Sequence, residues 1–391
     1  MKKKICILGS TGIIGKLTLN IISKNKKLFN VSLLSCNKNY SLLIKQIKKF
    51  KPKFVYINRE TSENNELKKV IKKYKVKVIS DLSLIKNYKF DITISAISGF
   101  NGLKPTLDII KLSKKIGIVN KESIICGWHL IKKKLTQYNT EFIPLDSEHF
   151  SIFNLLSVVD KKKFFIKKIF LPASGGPFFF TKKTISKNIL YKDVISHPKW
   201  RMGVKNSIDS ANLMNKILEV VEASLLFEIP IKKFKILIHP ESFVHSVLQL
   251  KNNFFIMNAY PPDMGFPIEN LLLNNEKSFI SKFSENFFNS FITKKIKINF
   301  LKIDKRFSYI NVILNFLCKK NYKYFIFLCL LNEVLVDNYV LKKKNFNKII
   351  KNLIFNLKRT IFLKKINSCS FLNISDINNF YKYIIKNIII N

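Results

Sequence analysis

The sequence predicts an α/β protein with a doubly wound parallel sheet in its N-terminal third. Three observations favour this fold class. Short apolar strands alternate with helical segments, a glycine-rich turn follows the first strand, and polar residues cluster where later strands end. With 391 residues the chain can form more than one hydrophobic core, so we expect two or three domains.

The composition argues against several classes of protein. With 47% hydrophobic residues, the chain is not expected to be disordered. Its net charge of +44 suggests a nucleic-acid partner, but evenly spread lysines supply nearly all of that charge and arginine is scarce. The six cysteines lack metal-ligand spacing, and the apolar run Phe325–Leu331 is short for a membrane span. We therefore expect a soluble cytoplasmic protein that binds neither nucleic acid nor membrane.

The glycine-rich turn Gly9–Gly15 separates the strand Lys4–Leu8 from a helical pattern. In this context, which is that of the dinucleotide fingerprint, glycines let the backbone approach a pyrophosphate at a helix N-terminus. The G-x-x-G-x-x-G spacing is a variant, and a plain glycine-rich turn is the alternative. The next strand, Val31–Ser35, ends without the acidic residue typical of NAD sites, and Lys38 there suits the 2′-phosphate of NADP.

Four more strands are predicted at Phe54–Ile57, Val76–Ile79, Asp91–Ala96 and Ile116–Val119. The alternation with helices indicates a Rossmann-like sheet, in which ligands gather at the C-terminal ends of the strands. The turns that follow the last two strands, at residues 97–102 and 120–123, are therefore candidate cofactor contacts.

The stretch Asp146–His149 follows an apolar run and is predicted to end a strand. Asp146 and Glu148 would then stand on the same side of an extended segment. Paired oxygen ligands suit a hard cation such as Mg²⁺ or Mn²⁺, although an exposed Asp-x-Glu without a metal is common. His149 either joins the ligands or orients a neighbour.

Two segments carry polar residues typical of a substrate site. The turn Ser174–Gly176 exposes backbone N–H groups that can hold an anion, with an ordinary tight turn as the alternative. The segment His197–Gly203 fits a lid that closes over a ligand, with a buried Trp200 anchor as the alternative.

A strong helical pattern follows Asp209 and Ser210, either of which is the predicted N-cap. Its face with Asn215, Lys216 and Glu219 suits a phosphate and a third metal-binding carboxylate, unless that face is simply solvated.

Two later segments are also candidates. The segment Ile238–Ser246 is predicted to be strand-like, and we expect one of its two histidines to be functional. Met264 lies in a turn that can place it against a flat ring.

Taken together, these segments resemble the 1-deoxy-D-xylulose 5-phosphate reductoisomerase family, in the family's order over residues 1–270. The matching runs are GSTGIIG (Gly9–Gly15), NKES (Asn120–Ser123), PLDSEH (Pro144–His149), SGGPF (Ser174–Phe178), HPKWRMG (His197–Gly203), IDSANLMNK (Ile208–Lys216) with Glu219, IHPESFVHS (Ile238–Ser246) and PPDM (Pro261–Met264). The resemblance implies an NADPH-dependent enzyme of the non-mevalonate isoprenoid pathway. Such an enzyme isomerises and reduces 1-deoxy-D-xylulose 5-phosphate to 2-C-methyl-D-erythritol 4-phosphate with one divalent cation, for which Mg²⁺, Mn²⁺ and Co²⁺ are the candidates.

The resemblance also implies roles for individual residues. The implied metal ligands are Asp146, Glu148 and Glu219, which with Lys121 and His239 make up the implied catalytic set. The implied substrate contacts are Lys121, Ser147, Glu148, Ser174, His197, Trp200, Ser210, Asn215, Lys216 and Glu219. The implied cofactor contacts are Gly9, Ser10, Thr11, Gly12, Ile13, Ile14, Lys38, Asn39, Asn120, Lys121, Glu122, Gly203 and Met264. His149 then supports the site rather than binding the metal.

The resemblance further implies a homodimer of three-domain subunits. We place an NADPH-binding domain at 1–146, a central α+β catalytic and dimerisation domain at 147–275, a linker at 276–300 and a C-terminal helical domain at 301–391.

The chain departs from the family's pattern at a few positions. They are Phe179, Asn212, Ile217, Glu241 and Gly265, and Ile217 is expected to crowd its helix. Two alternatives stay open. One is another NADP-dependent oxidoreductase of a small phosphorylated substrate, and the other is a decayed binding protein without catalysis.

Overall fold

The computed structural model describes residues 1–57, 64–159, 165–181, 189–197, 202–273, 298–343 and 346–390. Backbone contacts divide the chain into two compact units. The first comprises Met1–Ser123, His129–Asp146 and Met264–Asn275. The second contains Ile124–Trp128 and the rest of the chain.

The first unit is built on a seven-stranded parallel sheet. Its strands are β1 (Lys3–Leu8), β2 (Phe29–Ser35), β3 (Phe54–Tyr56), β4 (Lys77–Ile79), β5 (Phe90–Ser95), β6 (Ser113–Ile118) and β7 (Glu141–Pro144). They are ordered β4-β3-β2-β1-β5-β6-β7. The order reverses direction between β1 and β5, and such a switch point is where doubly wound sheets bind ligands. The predicted α/β fold class is confirmed.

Helices connect these strands, as a parallel sheet requires. They are α1 (Ile13–Lys24), α2 (Tyr40–Phe50), α3 (Asn65–Lys73), α4 (Leu103–Ile110) and α5 (Lys121–Tyr138). The central strands are buried, with Ile5 and Ile7 fully excluded from solvent, which is why their sequences read as continuous apolar runs.

The second unit contains a mixed four-stranded sheet. Its elements up to the sheet's last strand are α6 (Ser147–Val158), β8 (Ile166–Ala173), α7 (Tyr191–Ile195), α8 (Val204–Ala211), α9 (Met214–Phe227), β9 (Phe234–Ile238), β10 (Val244–Leu250) and β11 (Phe255–Ala259). The strand order is β11-β10-β8-β9, so β11 lies at one edge. Helix α10 (Gly265–Leu273) follows and belongs to the first unit.

The C-terminal part of the second unit is helical. Its helices span Tyr309–Leu317, Tyr322–Lys342, Lys348–Leu357, Thr360–Ser368 and Ile374–Asn387. The helix Tyr322–Lys342 has 21 residues and is apolar enough to cross a membrane, so the short run seen in the sequence understated its length. However, 78% of its most apolar window is buried inside the protein, as in a core helix.

Three sequence-based assignments of secondary structure are wrong. Residues 147–149 are not extended but form the first turn of α6, because Asp-Ser before an apolar run is a helix start signal and Glu148 suits a helix N-terminus. Asp209 and Ser210 lie inside α8 and do not cap α9. The cap of α9 is Leu213 in a left-handed conformation (φ 54°).

The third correction concerns residues 238–246, which are not one strand. Strand β9 ends at Ile238 and β10 begins at Val244. Pro240 lacks an N–H for a sheet, and Ser242 has a φ of 59°, so the chain turns between the two strands.

Candidate functional site

The glycine-rich turn after β1 brings backbone very close to the neighbouring strand end. Gly9 has a φ of +81°, and a Cβ atom there would lie 2.6 Å from the Ala96 carbonyl oxygen. Gly12 is the N-cap of α1, so the N–H groups of Ile13 and Ile14 start the helix without intrahelical partners. This arrangement suits a pyrophosphate.

Ser10 has a structural role that the sequence does not indicate. Its hydroxyl is fully buried, donates to the Ser35 carbonyl at 2.9 Å and contacts Gln46 Oε1 at 2.8 Å. The Gln46 amide returns a bond to the Ser10 carbonyl at 2.8 Å. The Ser10 side chain therefore anchors the turn, and Gln46 is a supporting residue that local spacing could not reveal.

Lys38 and Asn39 lie after β2. The Asn39 side chain accepts from Leu42 N at 3.1 Å and caps α2. A shallow surface pocket is lined by these two residues with Tyr40, Ser41 and Asn64.

Asn120 links two strand ends. Its amide nitrogen donates to the carbonyls of Ile97 and Gly99, the latter at 2.8 Å, and its oxygen accepts from Ser123 N at 3.1 Å. Gly102 packs so closely that an added Cβ would lie 2.5 Å from the Ile97 carbonyl oxygen. The predicted turn at 97–102 is thereby held beside the start of α5.

Lys121 begins α5 and is buried, and the neighbouring Asp146 is half-buried. Its Nζ lies 3.5 Å from Asp146 Oδ2. The adjacent Glu122 is also buried.

In the second unit, a buried ammonium joins two carboxylates. Lys216 Nζ lies 2.6 Å from Glu148 Oε1 and 2.5 Å from Glu219 Oε2. Burial disfavours the charged lysine, but the two carboxylates outweigh it, so the pKa of Lys216 is raised above its ordinary value. The carboxylates of α6 and α9 thus converge on one buried positive charge.

The neighbours of this cluster are also engaged. The Asn215 amide donates to Glu219, and the Ser147 hydroxyl donates to Glu148. Tyr260, which sequence reasoning missed, donates its hydroxyl to the Ser147 carbonyl at 2.5 Å and ties the start of α6 to the segment after β11.

His149 is fully buried between α6 and α9. One ring nitrogen lies 2.9 Å from the Glu219 carbonyl, and the other lies 3.4 Å from the buried Glu222 carboxylate. His149 therefore contacts α9, the helix that carries Glu219. Glu222 is a further buried acid on the same helix, and the sequence pattern did not single it out. The side chain of Ile217, one of the departures from the family's pattern, is fully buried in α9.

Ser174 and His197 lie together, with Ser174 Oγ 3.0 Å from His197 Nε2. Burial and then the charge of Lys216 lower the pKa of His197 to about 4, so the ring is neutral near pH 7. A Cβ on Gly176 (φ +66°) would lie 2.6 Å from the Ser210 carbonyl oxygen. The predicted anion-binding turn therefore packs directly on the end of α8.

His239 is fully buried next to β9. Its backbone N–H donates to the Ala173 carbonyl at 2.8 Å, and its Nδ1 lies 2.9 Å from the Asn299 carbonyl and 3.1 Å from Glu241. Gly203 is the N-cap of α8, and Met264 immediately precedes α10. Trp200 lies outside the described residues.

Family models and curated relatives identify one family. Two models of 1-deoxy-D-xylulose 5-phosphate reductoisomerase match, one over residues 5–127 and one for the C-terminal domain over residues 142–227. The 1-deoxy-D-xylulose 5-phosphate reductoisomerase of Pelagibacter ubique is 42% identical, covering 98% of this chain and 97% of the relative. That of Wolbachia pipientis wMel is 36% identical, covering 89% and 88%.

Solved structures of the same family also match over nearly the whole chain. A DOX-P reductoisomerase in complex with NADPH, fosmidomycin and magnesium superposes with a TM-score of 0.86 at 26% identity, covering 98% of this chain and 97% of that one. The Zymomonas mobilis reductoisomerase in complex with NADPH gives a TM-score of 0.80 at 26% identity, with the same coverage.

Proposed function

This chain belongs to the 1-deoxy-D-xylulose 5-phosphate reductoisomerase family, and on that premise we propose that it converts 1-deoxy-D-xylulose 5-phosphate to 2-C-methyl-D-erythritol 4-phosphate. The reaction rearranges the substrate to an aldehyde and then reduces that aldehyde. The observation that carries this proposal is the 42% identity to a reductoisomerase over nearly the whole of both chains.

The cofactor is held by the first unit. The glycine-rich turn after β1, with Gly12 as the N-cap of α1, fits the NADPH pyrophosphate. The backbone of Gly9–Ile14 binds it, Lys38 and Asn39 bind the 2′-phosphate, and Asn120–Glu122 with Gly203 and Met264 complete the site. Bound NADPH supplies the hydride.

The divalent cation is held by Asp146, Glu148 and Glu219. Two of these carboxylates already converge within 2.6 Å of the Lys216 ammonium, so the donor set fits a cation. Asp146 is two residues before Glu148 in sequence. A bound metal polarises substrate oxygens as a Lewis acid. Mg²⁺ is the expected metal, with Mn²⁺ and Co²⁺ as alternatives.

The substrate is oriented by its phosphate. Ser174, Ser210, Asn215 and Lys216 bind the phosphate beside a neutral His197, and this remote anchor supplies orientation. Ser147 contacts the sugar hydroxyls, His239 lines the site, and Trp200 covers the substrate to exclude water.

The quaternary structure is a homodimer formed through the four-stranded sheet. Edge strands attract partners, and β11 carries exposed apolar side chains, with Phe255 56% and Met257 43% exposed and Phe254 68% exposed beside them. Sedimentation should give a dimer, and Phe255→Glu should give monomer. A monomeric wild type would contradict this.

The domain boundaries belong to the same proposal, with an NADPH-binding domain at 1–146, a catalytic domain at 147–275, a linker at 276–300 and a helical domain at 301–391. The compartment is the cytoplasm, which fits six free cysteines. Neither nucleic acid nor membrane is a partner.

An NADPH-oxidation assay tests the function. Turnover is expected with 1-deoxy-D-xylulose 5-phosphate plus Mg²⁺ or Mn²⁺, and chelation should abolish it. Folded protein that binds NADPH but reduces only other phosphorylated substrates would favour the general oxidoreductase. No turnover with any of them would favour the decayed binding protein.

A further inference from the structure

Arg306 is one of only four arginines in the chain, and every N–H group of its guanidinium donates a hydrogen bond. Its Nη1 donates to the carbonyls of Phe178 at 3.3 Å and Thr181 at 3.0 Å, and its Nη2 donates to the Phe179 carbonyl at 2.8 Å. Its Nε donates to Asp304 Oδ1 at 3.0 Å, and Nη2 also reaches Asp304 Oδ2 at 3.4 Å. Lysine cannot reproduce this planar fork of donors.

The carbonyls that Arg306 binds belong to one loop, residues 177–181, which directly follows Ser174–Gly176. The Phe179 ring stacks on Phe307 at 6.1 Å, and Phe307 is fully buried. The loop is therefore fastened to the 304–307 segment by both polar and apolar contacts.

The same segment reaches the second phosphate-binding stretch. The Tyr309 hydroxyl donates to the Asn212 carbonyl at 2.6 Å, within the turn between α8 and α9. That turn separates Ser210 from Asn215 and Lys216. Residues 304–309 thus contact both chain segments that carry the proposed phosphate ligands.

We propose that residues 304–309 position the substrate phosphate site, with Arg306 and Tyr309 as positioning residues that never touch the substrate. This inference rests on the proposed function, because it assigns the phosphate to Ser174, Ser210 and Lys216. Arg306 holds the Ser174 loop by its carbonyls, and Tyr309 holds the α8–α9 turn.

Arg306→Gln is the test variant and Arg359→Gln the matched control. Arg359 Nη1 donates to the Asn387 carbonyl at 2.6 Å and stacks on an aromatic ring, but its hydrogen bonds lie within the C-terminal helices. Arg306→Gln should raise KM for 1-deoxy-D-xylulose 5-phosphate about tenfold, which corresponds to about 1.4 kcal/mol. KM for NADPH should stay unchanged, Arg306→Lys should recover only part of the loss, and Tyr309→Phe should show a smaller rise.

Hydrogen–deuterium exchange of peptides covering residues 174–181 supplies a readout without turnover. Exchange should rise in Arg306→Gln and stay at the wild-type level in Arg359→Gln. A wild type without turnover would remove the proposed function, while the exchange result would still test the fastening of the loop. Unchanged exchange, an unchanged KM for the sugar phosphate, or equal effects of both variants would overturn the proposal.

Discussion

The proposed cofactor site and the proposed substrate site are built from different materials. Around β1 the site is mainly backbone, with Gly9 at a positive φ and the first N–H groups of α1 without intrahelical partners. In the second unit the site consists of charged side chains, with the buried Lys216 between Glu148 and Glu219. A site built from backbone at glycines is disrupted when a substitution adds a Cβ atom that collides with neighbouring backbone. A site built from charged side chains is disrupted when a substitution removes one of the balancing charges.

The largest effect should come from removing the central charge of the side-chain site. Lys216→Met leaves the buried Glu219 and the half-buried Glu148 without their ammonium, which should cost about 3 kcal/mol of unfolding free energy in chelator. Mg²⁺ should restore part of this stability, because the bound cation balances the two carboxylates in place of the lost ammonium. Chemical denaturation with and without Mg²⁺ measures both.

Lys205→Met is the matched control. Lys205 Nζ also lies between two carboxylates, at 2.9 Å from Asp209 and 3.7 Å from Glu333, and neither of these is a proposed metal ligand. Its variant should be destabilised but gain nothing from Mg²⁺. Equal recovery of both variants would remove the distinction between a metal site and a structural ion pair.

A smaller loss of stability is expected when a side chain is added to the glycine-rich turn after β1. Gly9→Ala places a Cβ 2.6 Å from the Ala96 carbonyl oxygen at a φ of +81°, which should cost about 1–3 kcal/mol. NADPH affinity should fall about tenfold, measured by fluorescence titration. Gly203→Ala, where no atom lies within 4 Å of the added Cβ, should lose less stability than Gly9→Ala, although alanine is a poorer N-cap than glycine. Tight NADPH binding by Gly9→Ala would show that the turn does not hold the pyrophosphate.

The smallest effect concerns pH. His197 has its pKa lowered from 6.5 to about 4, so the folded protein disfavours the proton that the unfolded chain accepts. Stability should therefore decline as pH falls from 6.5 towards 4, and His197→Asn should show a shallower decline. Because Lys216 contributes to the shift, NMR titration should find a higher His197 pKa in Lys216→Met. A His197 pKa at its ordinary value would contradict the burial of this ring.

The same contrast explains what the sequence could predict. The sequence predicted strand β1, the Gly9–Gly15 turn and α1, because these elements depend on residues that are neighbours along the chain. The Gln46 anchor of Ser10, the Tyr260 bond to Ser147 and the Arg306 fork join residues far apart in sequence, which no local pattern encodes. For Arg306 one signal was available, namely an arginine retained in a lysine-rich chain.

The secondary-structure errors have a related cause. Glu148 was assigned to a strand because an apolar run precedes it, yet the following residues form α6. The cap of α9 was assigned to Asp209 or Ser210, but the N-cap is Leu213, and the preceding Asn212 accepts from Met214 N through Oδ1 at 3.0 Å. In both places the residue types correctly indicated a polar segment next to a strand or helix. The residue at which the helix begins depended on the residues around it in the chain.

The measurement that tests the account most directly is a parallel determination of turnover and NADPH affinity for Glu148→Gln. If backbone in the first unit binds the cofactor and carboxylates of the second unit support the chemistry, turnover should fall by orders of magnitude while the Kd for NADPH stays within about twofold of wild type. Joint loss of turnover and NADPH binding, or turnover that persists, would contradict this division of roles.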